Sequence, residues 1–251
     1  GELYKRQLFG NGTNISNPEL MGMDYYAGLF GGGVQSYDQW MLAEDGLLTS
    51  QTAYITEKFT DLAIDRINSQ EKPWFLWLAY TAPHTPFHAP PSNMHTQGNL
   101  PDYSTGMDAM PYYMAAIEAM DFQIGRLLDS IPENERNNTI IIFIGDNGTP
   151  NQVAQSPYSS STVKGSIYQG GINTPLFVSG QGVTRIGHED DNLITSTDLF
   201  ATIAQIAGSS TSEINDSKSF QPLFTEPLNI RNFQYSELND GTNNIWTISN
   251  G

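Results

Sequence analysis

The sequence predicts an α/β fold: a sandwich with a largely parallel central sheet flanked by helices. Helical and strand-like patterns alternate from about residue 52 to residue 206, as crossover connections require. Two short, continuous apolar runs, at 74–80 and 139–144, read as strands buried on both faces. The chain has 251 residues, 38% hydrophobic and 11% aromatic, which is too apolar for disorder and enough to bury a sizeable core.

Residues 1–50 are rich in Gly and Asn, with three glycines at 31–33, and read as a loop-rich surface segment. Ile55, Phe59, Leu62, Ala63 and Ile67 then recur at helical spacing until Pro73 breaks the pattern. The apolar run 74–80 ends at Pro83 and leads into a loop containing Pro and His. The clearest helix follows, with Asp108 as cap, Pro111 in its first turn and Pro132 as stop. Met114, Ile117, Ile124, Leu127, Leu128 and Ile131 are its expected apolar face. A second strand covers 139–144, and a third, short one covers 175–179. Leu199, Ile203 and Ile206 mark another helix, capped near Thr197 and stopped by Gly208. Two short strands, 234–237 and 245–248, flank an Asn/Asp/Gly turn and read as the start of a small C-terminal antiparallel sheet. The domain boundaries expected are therefore 1–231 for the α/β part and 232–251 for the beginning of the second.

Composition excludes several functions. With 27 acidic and 11 basic residues the formal charge is −16, so no basic stripe exists for a phosphate backbone and nucleic-acid binding is not expected. The chain has no cysteine, which removes disulfides, thiolate metal sites and cysteine nucleophiles. No apolar run approaches the length of a bilayer span, so no membrane partner is expected.

Ligands of open α/β sheets bind beyond the carboxyl ends of strands. Two such ends carry chemistry: Ala82-Pro83-His84-Thr85-Pro86 after the first run, and Asp146-Asn147-Gly148 after the second. Adjacent Asp and Asn supply two hard oxygen donors, suited to Ca²⁺ or Mg²⁺, and are equally the residues of an ordinary turn. His84 suits proton donation or anion binding, and also reads as a structural loop histidine. Lys164, in a Gly-rich setting before Gly170 and Gly171, is a point charge for an anion or a solvated surface lysine. His88 either lines a pocket or is an ordinary loop histidine, and Tyr37 and Trp40 read first as core.

Taken together and in order, these segments resemble the sulfatase family of the alkaline phosphatase superfamily. The resemblance runs through 23–26, 31–33, 75–86, 117–128, 142–148, 164–172 and 197–203. It implies that Asp146 and Asn147 are Ca²⁺ ligands, that Lys164 binds sulfate oxygens and that His84 contacts the ester near its bridging oxygen. It also implies a sulfated small molecule or carbohydrate as substrate and a periplasmic or secreted location.

The departure from the family is as informative. The family's nucleophile is a formylglycine made within Cys/Ser-x-Pro-x-Arg, and none of the 14 prolines here sits in that motif. The family's paired N-terminal aspartates and its first-half Lys and His are also missing. The chain therefore reads as the central and C-terminal portion of a sulfatase-like protein, inactive alone, with an incomplete calcium site. Alternative functions are a phosphodiesterase or phosphonate monoester hydrolase of the same superfamily, or a non-catalytic binding protein on this scaffold.

Overall fold

The computed structural model describes residues 17–20, 22–29, 33–209, 215–239, 241–242 and 244–250; Gly31 and Gly32 of the triple glycine lie outside them. The chain divides into two compact units, Gly1–Glu133 and Asn134–Gly251.

The first unit corrects the expectation of a loop-rich start. It contains an antiparallel meander of β1 (Ala27–Leu29), β2 (Trp40–Glu44) and β3 (Leu47–Gln51). The β2–β3 turn is Asp45-Gly46, with φ of 47° and 76°. Two consecutive positive φ values match the twist of a two-residue hairpin, so glycine-rich composition here marks a turn between strands. Trp40 and Leu42 of β2 face the core while Met41 points outward.

Helix α1 (Ile55–Asn68) forms as the spacing predicts, and its Ile55, Phe59, Ala63 and Ile67 lie on one buried stripe. Phe59 meets Trp40 edge to face, 5.5 Å between ring centroids. Helix α2 (Met110–Ser130) also forms, and the Asp108 carboxylate accepts a 3.0 Å hydrogen bond from the Met110 amide. The expected face holds in part, with Ile131 buried and Ile117, Ile124, Leu127 and Leu128 half-buried. Within the helix the buried residues are Tyr112, Ala115, Ala116, Ala119 and Gln123, whereas Met114 is exposed. Ala119 packs with Ile55 and Phe59 of α1, a small-residue contact that a search for large apolar residues overlooks. Gln123 is fully buried and accepts from Arg126, whose guanidinium reaches Asp61 of α1 at 2.5 Å.

The run 74–80 is a second correction. It belongs to none of the sheets among the described residues and alternates in burial: Trp74, Leu76, Leu78 and Tyr80 are half-buried, while Phe75 and Trp77 are exposed. Only one side of this segment has a core to pack on within its unit, with Leu78 and Tyr80 against the Tyr37–Trp40–Phe59 cluster.

In the second unit, β4 (Ile140–Ile144) and β5 (Leu176–Gly180) occur where strands are expected. They pair antiparallel, Ile142 opposite Val178. Every pairing among the described residues is antiparallel, so a largely parallel sheet is not shown by them. An apolar run reports burial on both faces, as is usual in parallel sheets, and does not by itself fix the direction of the neighbouring strand. Ile140, Ile142, Ile144, Leu176 and Val178 pack toward Leu199, Phe220 and Phe224. Leu199 lies on α3 (Asp198–Ile206), which ends before Gly208 at φ 71°. The C-terminal hairpin of β6 (Gln234–Asn239) and β7 (Asn244–Ser249) is antiparallel, as predicted.

Asp198 holds this unit's last segment in place. It is fully buried and accepts from Arg231 at 2.5 and 2.7 Å and from the amides of Thr195 and Lys218. Burial pushes its pKa upward, but the guanidinium and the two amides outweigh that and hold it below the usual carboxylate range. Within the acidic stretch 189–191, Asp190 meets Arg185 at 2.5 Å.

Candidate functional site

The sequence-predicted site residues fall into two sets. His84 and His88 belong to the first unit, and Asp146, Asn147 and Lys164 to the second.

His84 sits on a turn closed by its own amide, which donates to the Thr81 carbonyl at 2.9 Å. The flanking Pro83 and Pro86 have no N–H to offer, so the loop needs anchors from elsewhere. Tyr37 supplies one. Its hydroxyl lies 3.0 Å from the Thr81 carbonyl oxygen and 2.7 Å from that of His84. On the His84 ring, Nδ1 is 2.8 Å from the Thr85 carbonyl oxygen. A carbonyl only accepts, so Nδ1 carries a proton and acid–base exchange falls to Nε2.

His88 is engaged at both nitrogens. Nδ1 donates to the Pro86 carbonyl at 3.1 Å, and Nε2 accepts from the Tyr54 hydroxyl at 3.0 Å. Its ring stacks on Tyr37 with centroids 3.7 Å apart and planes 18° from parallel. Burial pushes the His88 pKa below the ordinary histidine value and the Tyr54 phenol up to about 12, so both are neutral at pH 7. Tyr37, at 1% exposure, and Trp40, whose Nε1 donates to the Ala53 carbonyl, are core residues, as the sequence reading has them.

In the second unit, strand β4 runs into Gly145-Asp146-Asn147-Gly148. The Gly145 amide donates to the Pro175 carbonyl, continuing the ladder one residue past the strand. The Gly148 amide donates to the Gly171 carbonyl at 2.9 Å, and the Lys164 amide to the Thr149 carbonyl at 3.0 Å. These bonds join the Asp146–Asn147 turn and the Lys164 loop through backbone alone. They also explain glycines whose purpose the sequence does not reveal. A Cβ on Gly148 would lie 1.8 Å from the Gly170 carbonyl oxygen, one on Gly170 would lie 2.5 Å from that of Thr162, and one on Gly171 would lie 2.4 Å from that of Ser166. The Gly-rich setting of Lys164 is a close backbone approach.

Asn147 donates from Nδ2 to the Gly148 carbonyl at 3.1 Å, which leaves the amide oxygen as its accepting atom. Asp146 is exposed beside it. The pair is two hard oxygen donors, a chemistry that fits Ca²⁺, which takes about 6–8 such ligands. Among the described residues no group of three or more His, Cys, Asp or Glu is placed to hold a metal ion. No helix among the described residues is long and apolar enough to cross a membrane.

A family model described as Sulfatase matches residues 4–209, a span that contains every residue of both sets. The chain belongs to the sulfatase family. This sulfatase chain is 31% identical over 216 residues to a sulfatase of Escherichia coli K12, YdeN, named as uncharacterized, covering 80% of the chain and 37% of that protein. It is 26% identical to the arylsulfatase of Klebsiella aerogenes, covering 55% of the chain and 47% of the relative. The chain thus spans less than half the length of these curated relatives. Among solved structures, Ps i-CgsB is 25% identical with a TM-score of 0.80, covering 93% of this chain and 57% of that one. BT4656, solved in complex with its substrate D-glucosamine-2-N,6-O-disulfate, is similar in fold, with a TM-score of 0.70 at 17% identity, covering 91% of this chain and 66% of that one. The fold class is α/β, as in these structures.

Proposed function

We propose that the protein of which this sulfatase chain forms part hydrolyses sulfate esters. The observation that carries the reading is the backbone junction that ties the Asp146–Asn147 turn to the Lys164 loop, because it brings hard oxygen donors and a cation to one end of β4. Asp146 and the Asn147 amide oxygen would hold Ca²⁺ together with ligands from elsewhere in the protein. A bound calcium ion would offset negative charge on the ester oxygens. Lys164 binds sulfate oxygens as a point charge. His84, protonated at Nε2, donates a proton to the departing alcohol oxygen. The nucleophile, a formylglycine, is proposed to lie in a segment outside this chain, which alone is then inactive.

A sulfated carbohydrate or small molecule is the proposed substrate, supported by the disulfated glucosamine bound to BT4656 and by Ps i-CgsB, which was solved in complex with k-i-k-neocarrahexaose. A periplasmic or secreted location is proposed on family habit. We also place β4 in a larger, largely parallel sheet completed by the rest of the protein, a reading supported by its five consecutive apolar residues.

The test is a panel of aryl and carbohydrate sulfates, phosphate diesters and phosphonate monoesters offered to the full-length protein. Sulfate-ester turnover that is lost in Lys164→Ala and His84→Ala is the expected result. Preferential turnover of the phosphorus esters, or turnover of none, overturns the proposal.

A further inference from the structure

We infer that Tyr37 is a positioning residue for His84, held in register by a clamp made of Tyr54 and His88. The inference rests on the reading of His84 as proton donor and names a residue, far from it in sequence, on which that role depends.

The backbone of Tyr37 is fixed first, since its carbonyl accepts from the Ile55 amide at 2.9 Å, at the start of α1. Its ring is fixed next, lying 3.7 Å from the His88 ring and 5.9 Å from that of Tyr54, stacked on both. His88 is in turn pinned between the Pro86 carbonyl and the Tyr54 hydroxyl. What this assembly presents to the loop is one hydroxyl, within hydrogen-bond reach of carbonyls 44 and 47 residues further on. The single phenolic proton is shared between those two oxygens, and the His84 amide closes the same turn.

The loop is therefore gripped on both sides of the catalytic imidazole: by Tyr37 at residues 81 and 84, and by His88 at residue 86. From 81 to 91 the chain has neither helix nor strand, and four of its eleven residues are prolines. Without the grip, nothing regular in the backbone would hold His84 in place. A proton donor displaced by about 1 Å loses on the order of a hundredfold in rate. Tyr37 is 1% exposed, so it acts through the loop and not on substrate.

The variant that isolates the hydroxyl is Tyr37→Phe, which keeps the ring in its stack and removes both bonds to the loop. In the full-length protein we expect kcat for a sulfate ester to fall about 10- to 100-fold, with KM within about twofold. The defect should be larger for an alkyl sulfate, whose leaving group needs the proton, than for a nitrophenyl sulfate. In a His84→Ala background Tyr37→Phe should cost nothing more. Hydrogen exchange at the 81–84 turn should rise about tenfold. An active wild type whose kcat is unchanged by Tyr37→Phe, or a defect that adds fully to that of His84→Ala, overturns the positioning role. A wild type without sulfatase turnover overturns the functional reading separately. In that case unchanged exchange at 81–84 still refutes the anchor, and raised exchange still supports it.

Discussion

Replacing Gly148 by alanine would set a methyl carbon 1.8 Å from the Gly170 carbonyl oxygen, 2.8 Å from its carbon and 2.9 Å from Gly171 Cα. All three are backbone atoms, so no side chain can swing aside. The 168–172 turn cannot retreat freely either, because Gly170 and Gly171 themselves lie against the carbonyls of Thr162 and Ser166. Relief must come from separating the two segments, which breaks the 2.9 Å bond from the Gly148 amide to Gly171. Overpacking of this kind costs about 1–3 kcal/mol and the lost hydrogen bond about 1 kcal/mol, a total of roughly 2–4 kcal/mol. With a urea m-value of about 2 kcal/mol per molar, the midpoint should fall by about 1–2 M in an unfolding curve followed by circular dichroism. The same separation pulls the Asp146–Asn147 turn from the Lys164 loop, so the proposed sulfatase activity of the full-length protein should be lost even in urea-free buffer. A midpoint within about 0.2 M of wild type, with activity retained, would refute the claim that these glycines are required by contact.

Gly125→Ala is the control: it lies in α2 with nothing within 4 Å of a new Cβ, and should stabilise the chain by about 0.5–1 kcal/mol in the same assay. Arg231→Ala leaves the fully buried Asp198 carboxylate with only the Thr195 and Lys218 amides, so a loss of about 3 kcal/mol is expected, the low end for a broken buried pair. The folded-state pKa of Asp198 is lowered, so its stabilisation is complete above the unfolded carboxylate value of about 4 and disappears as pH falls through the folded value. Acid titration of stability below about pH 4 should therefore be steeper in wild type than in Arg231→Ala; equal slopes would remove Asp198 from the account. Asp146→Ala in the full-length protein should abolish tight Ca²⁺ binding by calorimetry, and an unchanged affinity would take Asp146 out of the metal site.

The helices were legible because their causes are local. Ile55, Phe59, Ala63 and Ile67 recur every four residues, and Asp108, Pro111, Pro132 and Gly208 mark ends through backbone chemistry that needs no partner. The C-terminal hairpin was legible for the same reason. The β2–β3 hairpin carried an equally local signal in Asp45-Gly46, which was lost beneath the Gly- and Asn-rich composition around it. The small buried residues of α2 were hidden because their burial depends on the neighbours that pack on them, and the run 74–80 because a strand is defined by a neighbour.

The site divides along the same line. By itself the sequence determined which chemical groups stand at the ends of apolar runs: an imidazole between prolines, adjacent carboxylate and amide oxygens, and a lysine before two glycines. Those are properties of neighbouring residues, and together with the other segments, in their order along the chain, they carried the resemblance to sulfatases. Only the tertiary structure decided that Gly148 touches Gly170, that Thr149 pairs with Lys164 and that Tyr37 reaches across 44 residues to the turn carrying His84. A hydrogen bond or a van der Waals contact is specified by distance in space, which the chain acquires only when its core closes and brings remote backbone together.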